Sequence, residues 1–218
     1  MALEKVVQAV EKRGLDGVAI TDHNTTQGAF KMQGIAPFRV IIGEEIKTKE
    51  GEVIGYFLEK EIPPELSPEE TIKRIKSQNG LVCVPHPFDR LRRSKLSLQA
   101  LERIKNEIDM IEVFNARNVF SKDNERVLAF VEQNGFVKIA GGDAHTKYEI
   151  GNGYIEVKDF NSKDEFLENI KHCKIFAEKS PLFLHGITKS VKIYSRFRKY
   201  GNKQKDTLIF SAVRLRIE

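Results

Sequence analysis

Residues 17–28 read GVAITDHNTTQG, and the reading of this stretch decides the fold. Val18 to Thr21 are small or apolar, with the β-branched content of a buried strand. That strand runs straight into Asp22, His23 and Asn24. A core strand ending in an acid and an imidazole must give both a partner, because buried polar groups without one are costly. The neighbouring sequence shows where such partners can come from.

Upstream, Ala2 to Arg13 carries Leu3, Val6, Val7 and Val10 at helical spacing, and Gly14 stands where a helix C-terminus favours a left-handed residue. Downstream, FRVIIGEEI (38–46) and EVIGYFL (52–58) read as strands. SPEETIKRIKSQNG (67–80) reads as a helix with Ser67 as N-cap, Pro68 in the first position, Glu70 closing a capping box and Gly80 as the stop. LVCVPHP (81–87) is a strand ended by proline. The alternation then continues with helix LSLQALERIKNE (96–107), strand DMIEVFNAR (109–117), helix SKDNERVLAFVEQNG (121–135) and strand FVKIAGGDAHT (136–146). A strand at GYIEV (153–157), a helix at SKDEFLENIKHC (162–173), a strand at KIFAE (174–178) and a last helix over 181–200 complete the pattern. Strands alternating with helices predict a mostly parallel α/β sheet, open or closed into a barrel.

Composition agrees with one ordinary globular core. The chain has 218 residues, of which 40% are hydrophobic, enough for a single domain. No apolar run approaches the roughly 18 residues of a membrane span, and the charged, amphipathic opening is unlike a signal peptide, so no membrane partner and a cytoplasmic location are expected. Cys83 and Cys173 lack the paired spacing of a disulfide framework or thiolate metal site, and both are read as reduced. The net charge of +5 is concentrated from Lys189 onward. That segment reads either as a solvated, lysine-rich helix or as a contact for polyphosphate or nucleic acid.

Placed on this map, His23 ends one strand, Glu45 a second, His86 a third, Asn115 a fourth, and Asp143 with His145 a fifth. In parallel α/β folds the C-terminal strand edge is the functional face. Each residue alone has a structural explanation, since strand-end histidines commonly serve as hydrogen-bonded scaffold and Asp143 could cap a helix. Five strands converging on one edge with imidazole and carboxylate supply the ligand set of Zn²⁺, Mn²⁺ or Fe²⁺. Strand alternation allows only one of Glu44 and Glu45 to join such a cluster. His172 and His185, without acidic neighbours, are read as structural or solvent-facing.

These motifs resemble the PHP family, named for its polymerase and histidinol phosphatase members: AITDHNT, GEEI, VPHPFD and GGDAHT occur in family order. The resemblance covers roughly residues 3–157. It implies a distorted (β/α)7 TIM-like barrel over a single PHP-type domain, residues 1–200, with 201–218 as a basic tail. It also implies up to three divalent ions at the C-terminal face, hydrolysing phosphoesters. By that match His23, Glu45, His86, Asp143 and His145 are metal ligands, Asn115 lines the pocket and Asp22 supports its neighbours. Arg90, Arg92 and Arg93 beyond His86, and Arg117 beyond Asn115, are natural phosphate holders, with Arg90 and Arg117 singled out.

One feature departs from the family. Its first motif, a His-x-His pair on the first barrel strand, should lie one strand and one helix before TDH, yet this chain opens within that helix. The expectation is a barrel lacking its first strand, incomplete at the N-terminus, holding fewer metals and hydrolysing slowly. An unpaired edge beside the His23 strand would then be covered by a homodimer partner or by the strand-like tail DTLIFSAVRLRIE (206–218). The functional expectation is a metal-dependent phosphoesterase acting on a small phosphomonoester or phosphodiester, such as a nucleotide or short oligonucleotide. The alternative is a non-catalytic descendant that binds a phosphorylated ligand or RNA.

Overall fold

In a computed structural model, which describes residues 2–181 and the backbone of 215–216, nine strands form one sheet. The chain order is α1 (Leu3–Lys12), β1 (Gly17–Ile20), α2 (Gln27–Gln33), β2 (Arg39–Thr48), β3 (Gly51–Tyr56), α3 (Pro68–Ser77), β4 (Leu81–Val84) and α4 (Leu98–Ile104). It continues with β5 (Met110–Asn115), α5 (Ser121–Asn134), β6 (Val137–Gly141), β7 (Gly153–Glu156), α6 (Lys163–Ile170), β8 (Lys174–Ala177) and β9 (Leu215–Arg216). Across the sheet the order is β6-β5-β4-β3-β2-β1-β9-β7-β8.

The sheet is mixed, not mostly parallel. Only Lys49 and Glu50 join β2 to β3, far too few residues for a crossover, so the two strands form an antiparallel hairpin. β4 is antiparallel to β3 and therefore runs with β2. β1 and β2 are parallel, as are β4, β5 and β6. Five strands thus end at the same edge, with β3 inserted among them in reverse. The sheet curls: a Cβ at Gly153, where β7 begins, would lie 2.6 Å from the carbonyl of Gly141, where β6 ends.

Helix signals hold in detail and differ in two places. Ser67 accepts from the Glu70 amide at 3.2 Å, but the Glu70 carboxylate pairs with Arg74. Asn79 (φ 58°), not Gly80, adopts the left-handed conformation beyond α3. α2 was not expected. It is one short segment with a glycine, held by burial of Ala29 and Met32 on one face. The helix expected over 181–200 lies outside the described residues, as does His185.

Strand alternation builds two cores. Val18, Ile20, Ile42, Ile46, Val82, Val84, Ile111 and Val113 face the layer of helices α1 to α5. Ala19, Ile41, Ile54, Tyr56, Cys83, Met110 and Ile139 face the concave side. At the end nearest the start of β2, Phe57, Phe160 and Phe166 close that side, with ring centroids 5.0–6.3 Å apart. Burying each such ring contributes about 2–3 kcal/mol. Cys83 is buried here, and both cysteines are free thiols.

Between β1 and β7 lies β9, antiparallel to β1 through Gly17 and Leu215, and parallel to β7 through Ile155 and Leu215. Leu215 and Arg216, within the stretch read as a strand-like tail, therefore lie at the edge of the His23 strand.

Candidate metal centre

The open end of the concave side gathers the polar residues. His23 lies three residues past β1 and is bridged to Glu45 in parallel sense. Asn24 takes a left-handed conformation (φ 55°), donates its amide to the Glu45 carbonyl and accepts from the Lys47 amide at 2.8 Å, which clamps the end of β1 to β2. Glu45 is not at a strand end but inside β2. It shares the face of Ile41, whereas Glu44 points to the helices and accepts from the Ile62 amide at 2.9 Å.

Glu45 is the hub. Its Oε2 lies 3.1 Å from His23 Nδ1 and its Oε1 lies 3.2 Å from His86 Nε2. Glu52, on β3, completes the group at 3.8 Å from His23 and 3.6 Å from His86. Burial alone would push the Glu45 carboxyl up; the two imidazoles outweigh it and hold it below the ordinary range. Burial, then the charge of Glu45, raise Glu52. His86 is lowered by burial and by Arg92, but its bond to Glu45 and the surrounding carboxylates win and raise it.

A second wall faces this one. Asp143 and His86 are both left-handed non-glycine residues, with φ 44° and 32°, a strain found where side chains must be aimed. Asp143 is paired with the Arg92 guanidinium, and His145 Nδ1 lies 3.4 Å from its carboxylate. Burial opposes ionisation of Asp143, but Arg92, His145 and Arg117 hold it well below the usual carboxylate range. Glu149 accepts from the His145 and Thr146 amides and lies 3.5 Å from Arg117, so the turn after Asp143 is braced from below. Glu112, buried on β5, accepts from the His86 amide and from Asn115 Nδ2, each at 2.9 Å, and burial raises its pKa.

The expected residues fare differently. His23, Glu45 and His86 come together, and Asp143 and His145 form the adjoining wall. Asn115 has its amide engaged at both ends, by Glu112 and by the Arg117 backbone, so it positions its neighbours. Asp22 is buried beside them, its carbonyl accepting from Glu45. Arg117 is buried next to the second wall. Arg90 is not in the site: its guanidinium binds Asp123 at 2.8–2.9 Å and stacks on Phe120. Arg92 enters in its place, because the turn after His86 carries residue 92 inward and leaves residue 90 over α5. Glu52 and Glu112 were missed. The signal was present, since each shares strand parity with the concave-facing residues: Glu52 with Ile54 and Tyr56, Glu112 with Met110.

These residues fit a divalent cation. Two buried carboxylates, Glu45 and Glu52, stand side by side, and His23, Glu45 and Glu52 offer ligand atoms within 4.8 Å of one another. Glu52 Oε2 and His86 Nδ1 are buried with no hydrogen-bond partner among the described residues. Imidazole and carboxylate suit Zn²⁺, Mn²⁺ or Fe²⁺.

The chain is similar to several known proteins. The chain is 44% identical over 115 residues to uncharacterized protein MJ1587 of Methanocaldococcus jannaschii, covering 51% of this chain and 64% of that one. It is 37% identical over 164 residues to uncharacterized protein MJ0417 of the same organism, covering 70% and 65%. The chain thus spans somewhat less than two thirds of these relatives. Its fold is similar to that of PsfC from Pseudomonas syringae, with a TM-score of 0.61 at 15% identity over 90% of this chain and 88% of that one. It is similar also to a protein assigned as a metal-dependent phosphoesterase from Bifidobacterium adolescentis, with a TM-score of 0.57 at 16% identity over 84% and 92%. At such identities the likeness is one of fold. A family described as PHP-associated matches residues 121–175. That match lies in one chain with the TDH, GEEI, VPHP and GGDAH motifs, which resemble those of the PHP family.

Proposed function

We propose that the chain is a metal-dependent phosphoesterase whose ion is held by His23, Glu45, Glu52 and His86, with Asp143 and His145 on the facing wall. The observation that carries this reading is the buried Glu45–Glu52 pair bracketed by two imidazoles, a concentration of negative charge that a divalent cation would relieve. When bound, such an ion supplies a water of lowered pKa and neutralises charge on phosphoryl oxygens. Arg92 and Arg117 are placed to hold the phosphoryl oxygens by charge-assisted hydrogen bonds, Arg92 turning from Asp143 to the substrate. Glu112 fixes the strained turn at His86 by taking its amide, and Asn115 carries that restraint on to Arg117.

We read the curled sheet as the wall of a distorted (β/α)7 barrel and residues 1–200 as one domain with 201–218 as its tail. The substrate class is a small phosphomonoester or phosphodiester. No helix among the described residues is long and apolar enough to cross a membrane. The test is turnover of a nitrophenyl phosphate and a nucleotide panel after reconstitution with Mn²⁺, Zn²⁺ or Fe²⁺. Metal-dependent hydrolysis abolished by Glu45→Gln supports the reading; tight binding of a phosphorylated ligand with no turnover under any metal would favour a non-catalytic descendant.

A further inference from the structure

A groove of about 350 Å³ runs between α1 and the turn that follows His145, lined by Lys5, Gln8, Ala9, Lys12, Arg13, Lys147 and Tyr148. Four of these seven residues are cationic and none is acidic. On α1, positions 5, 8, 9, 12 and 13 follow the three- and four-residue spacing of a single helix face, while Glu4 and Glu11 fall on another stripe and Val6 and Val10 are buried in the core. Ala9 leaves room at the floor. Arg13 is held across the groove, donating to the Tyr148 carbonyl at 3.2 Å and to Asn152 at 3.3 Å. The far wall is the same turn that Glu149 braces through the His145 and Thr146 amides, so the groove leads away from the second wall of the metal centre.

We propose that this groove binds a single strand of nucleic acid. Its cations are strung along a helix and do not converge on a point: Lys5 and Lys12 are about 10 Å apart along the axis, long enough to meet more than one phosphate of an extended backbone. Tyr148 stands at the end of that line with 64% of its surface exposed, an aromatic face on which a base can stack. Lys147 Nζ lies over one face of the Tyr148 ring, 5.0 Å from its centroid, and brings charge to the same end of the groove. The chain's own segment from Lys189 onward is basic and is no complement to the groove. The binding stands apart from hydrolysis, since none of the groove residues belongs to the metal cluster.

The experiment titrates the full chain, in EDTA, with fluorescein-labelled oligothymidylate of about eight nucleotides, a length within the usual reach of such sites. Lys5→Gln/Lys12→Gln/Lys147→Gln, all at exposed positions, is expected to weaken binding about tenfold or more and to flatten the salt dependence of log K by about two. Tyr148→Ala is expected to weaken it about fivefold or more with the salt slope unchanged. Glu45→Gln is expected to bind as the parent does, so hydrolysis retained in that variant would count against the metal reading alone. Groove variants that bind as the parent, or binding lost only in Arg196→Ala/Arg198→Ala, would overturn the proposal. Equal binding of a polyglutamate peptide of matched charge would overturn it in favour of an acidic protein partner.

Discussion

Glu44 and Glu45 are consecutive residues of β2, both buried, and face opposite sides of the sheet. Glu45 meets two imidazoles and stays ionised below the ordinary carboxylate range. Glu44 meets one backbone amide and the helical core, and burial pushes its carboxyl up to about 7. The same residue type on the same strand is a candidate ligand on one face and a core acid of raised pKa on the other. What differs is the density of cationic or cation-binding partners, and the experiments below are chosen to strain that contrast.

The largest effect is expected from Glu45→Gln, which should lower metal-dependent turnover about a thousandfold, roughly 4 kcal/mol of transition-state stabilisation, while Glu44→Gln leaves it nearly unchanged. Comparable losses in both would collapse the distinction between the faces. Next comes Arg92→Ala. It removes the cation facing Asp143 and the proposed hydrogen-bond donor to phosphoryl oxygens, and should cost about a hundredfold in kcat/KM, more than Arg90→Ala, whose guanidinium serves Asp123. Glu52→Gln should weaken metal affinity by about tenfold to a hundredfold, since a bond or brace at the ion is lost and the other ligands remain.

The smallest effect concerns stability and isolates the outward face. The folded-state pKa of Glu44 lies above its unfolded value, so the folded protein holds the proton more tightly. The resulting stabilisation is complete below about pH 4.5 and is lost as pH rises through about 7. Glu44→Gln keeps an acceptor for the Ile62 amide but cannot ionise. Thermal melts should show the variant more stable than the parent above pH 7, by no more than about 3 kcal/mol, and the two converging near pH 5. A constant difference across that range would show that Glu44 does not titrate on folding.

Much of this contrast could be read from the chain alone. The TDH, VPHP and GGDAH runs pointed to His23, His86, Asp143 and His145 because strand ends in α/β folds share an edge, whereas Glu45 of GEEI reaches them from inside β2. The reversal of β3 was legible too: the few residues between FRVIIGEEI and EVIGYFL cannot make a crossover, a limit that a mostly parallel sheet leaves out of account. Glu52 is not at the end of its strand but near its start, and the hairpin returns the first residues of β3 to the edge where β2 ends. Arg92 could not be told from Arg90 or Arg93, since the choice depends on a turn begun by a left-handed histidine that no local pattern announces. The meeting of β9 with β1 joins residues almost two hundred positions apart, and only strand-like alternation hinted at it.

The central claim is that the concave-side carboxylates exist to hold a divalent cation. The most direct test is metal content and affinity, by elemental analysis and calorimetry with Mn²⁺ and Zn²⁺, on the parent, Glu45→Gln and Glu44→Gln proteins side by side. The account predicts at least about one ion per chain in the parent and in Glu44→Gln, with binding weakened about a hundredfold or more in Glu45→Gln. Equal metal content in all three, or none in the parent, would contradict it.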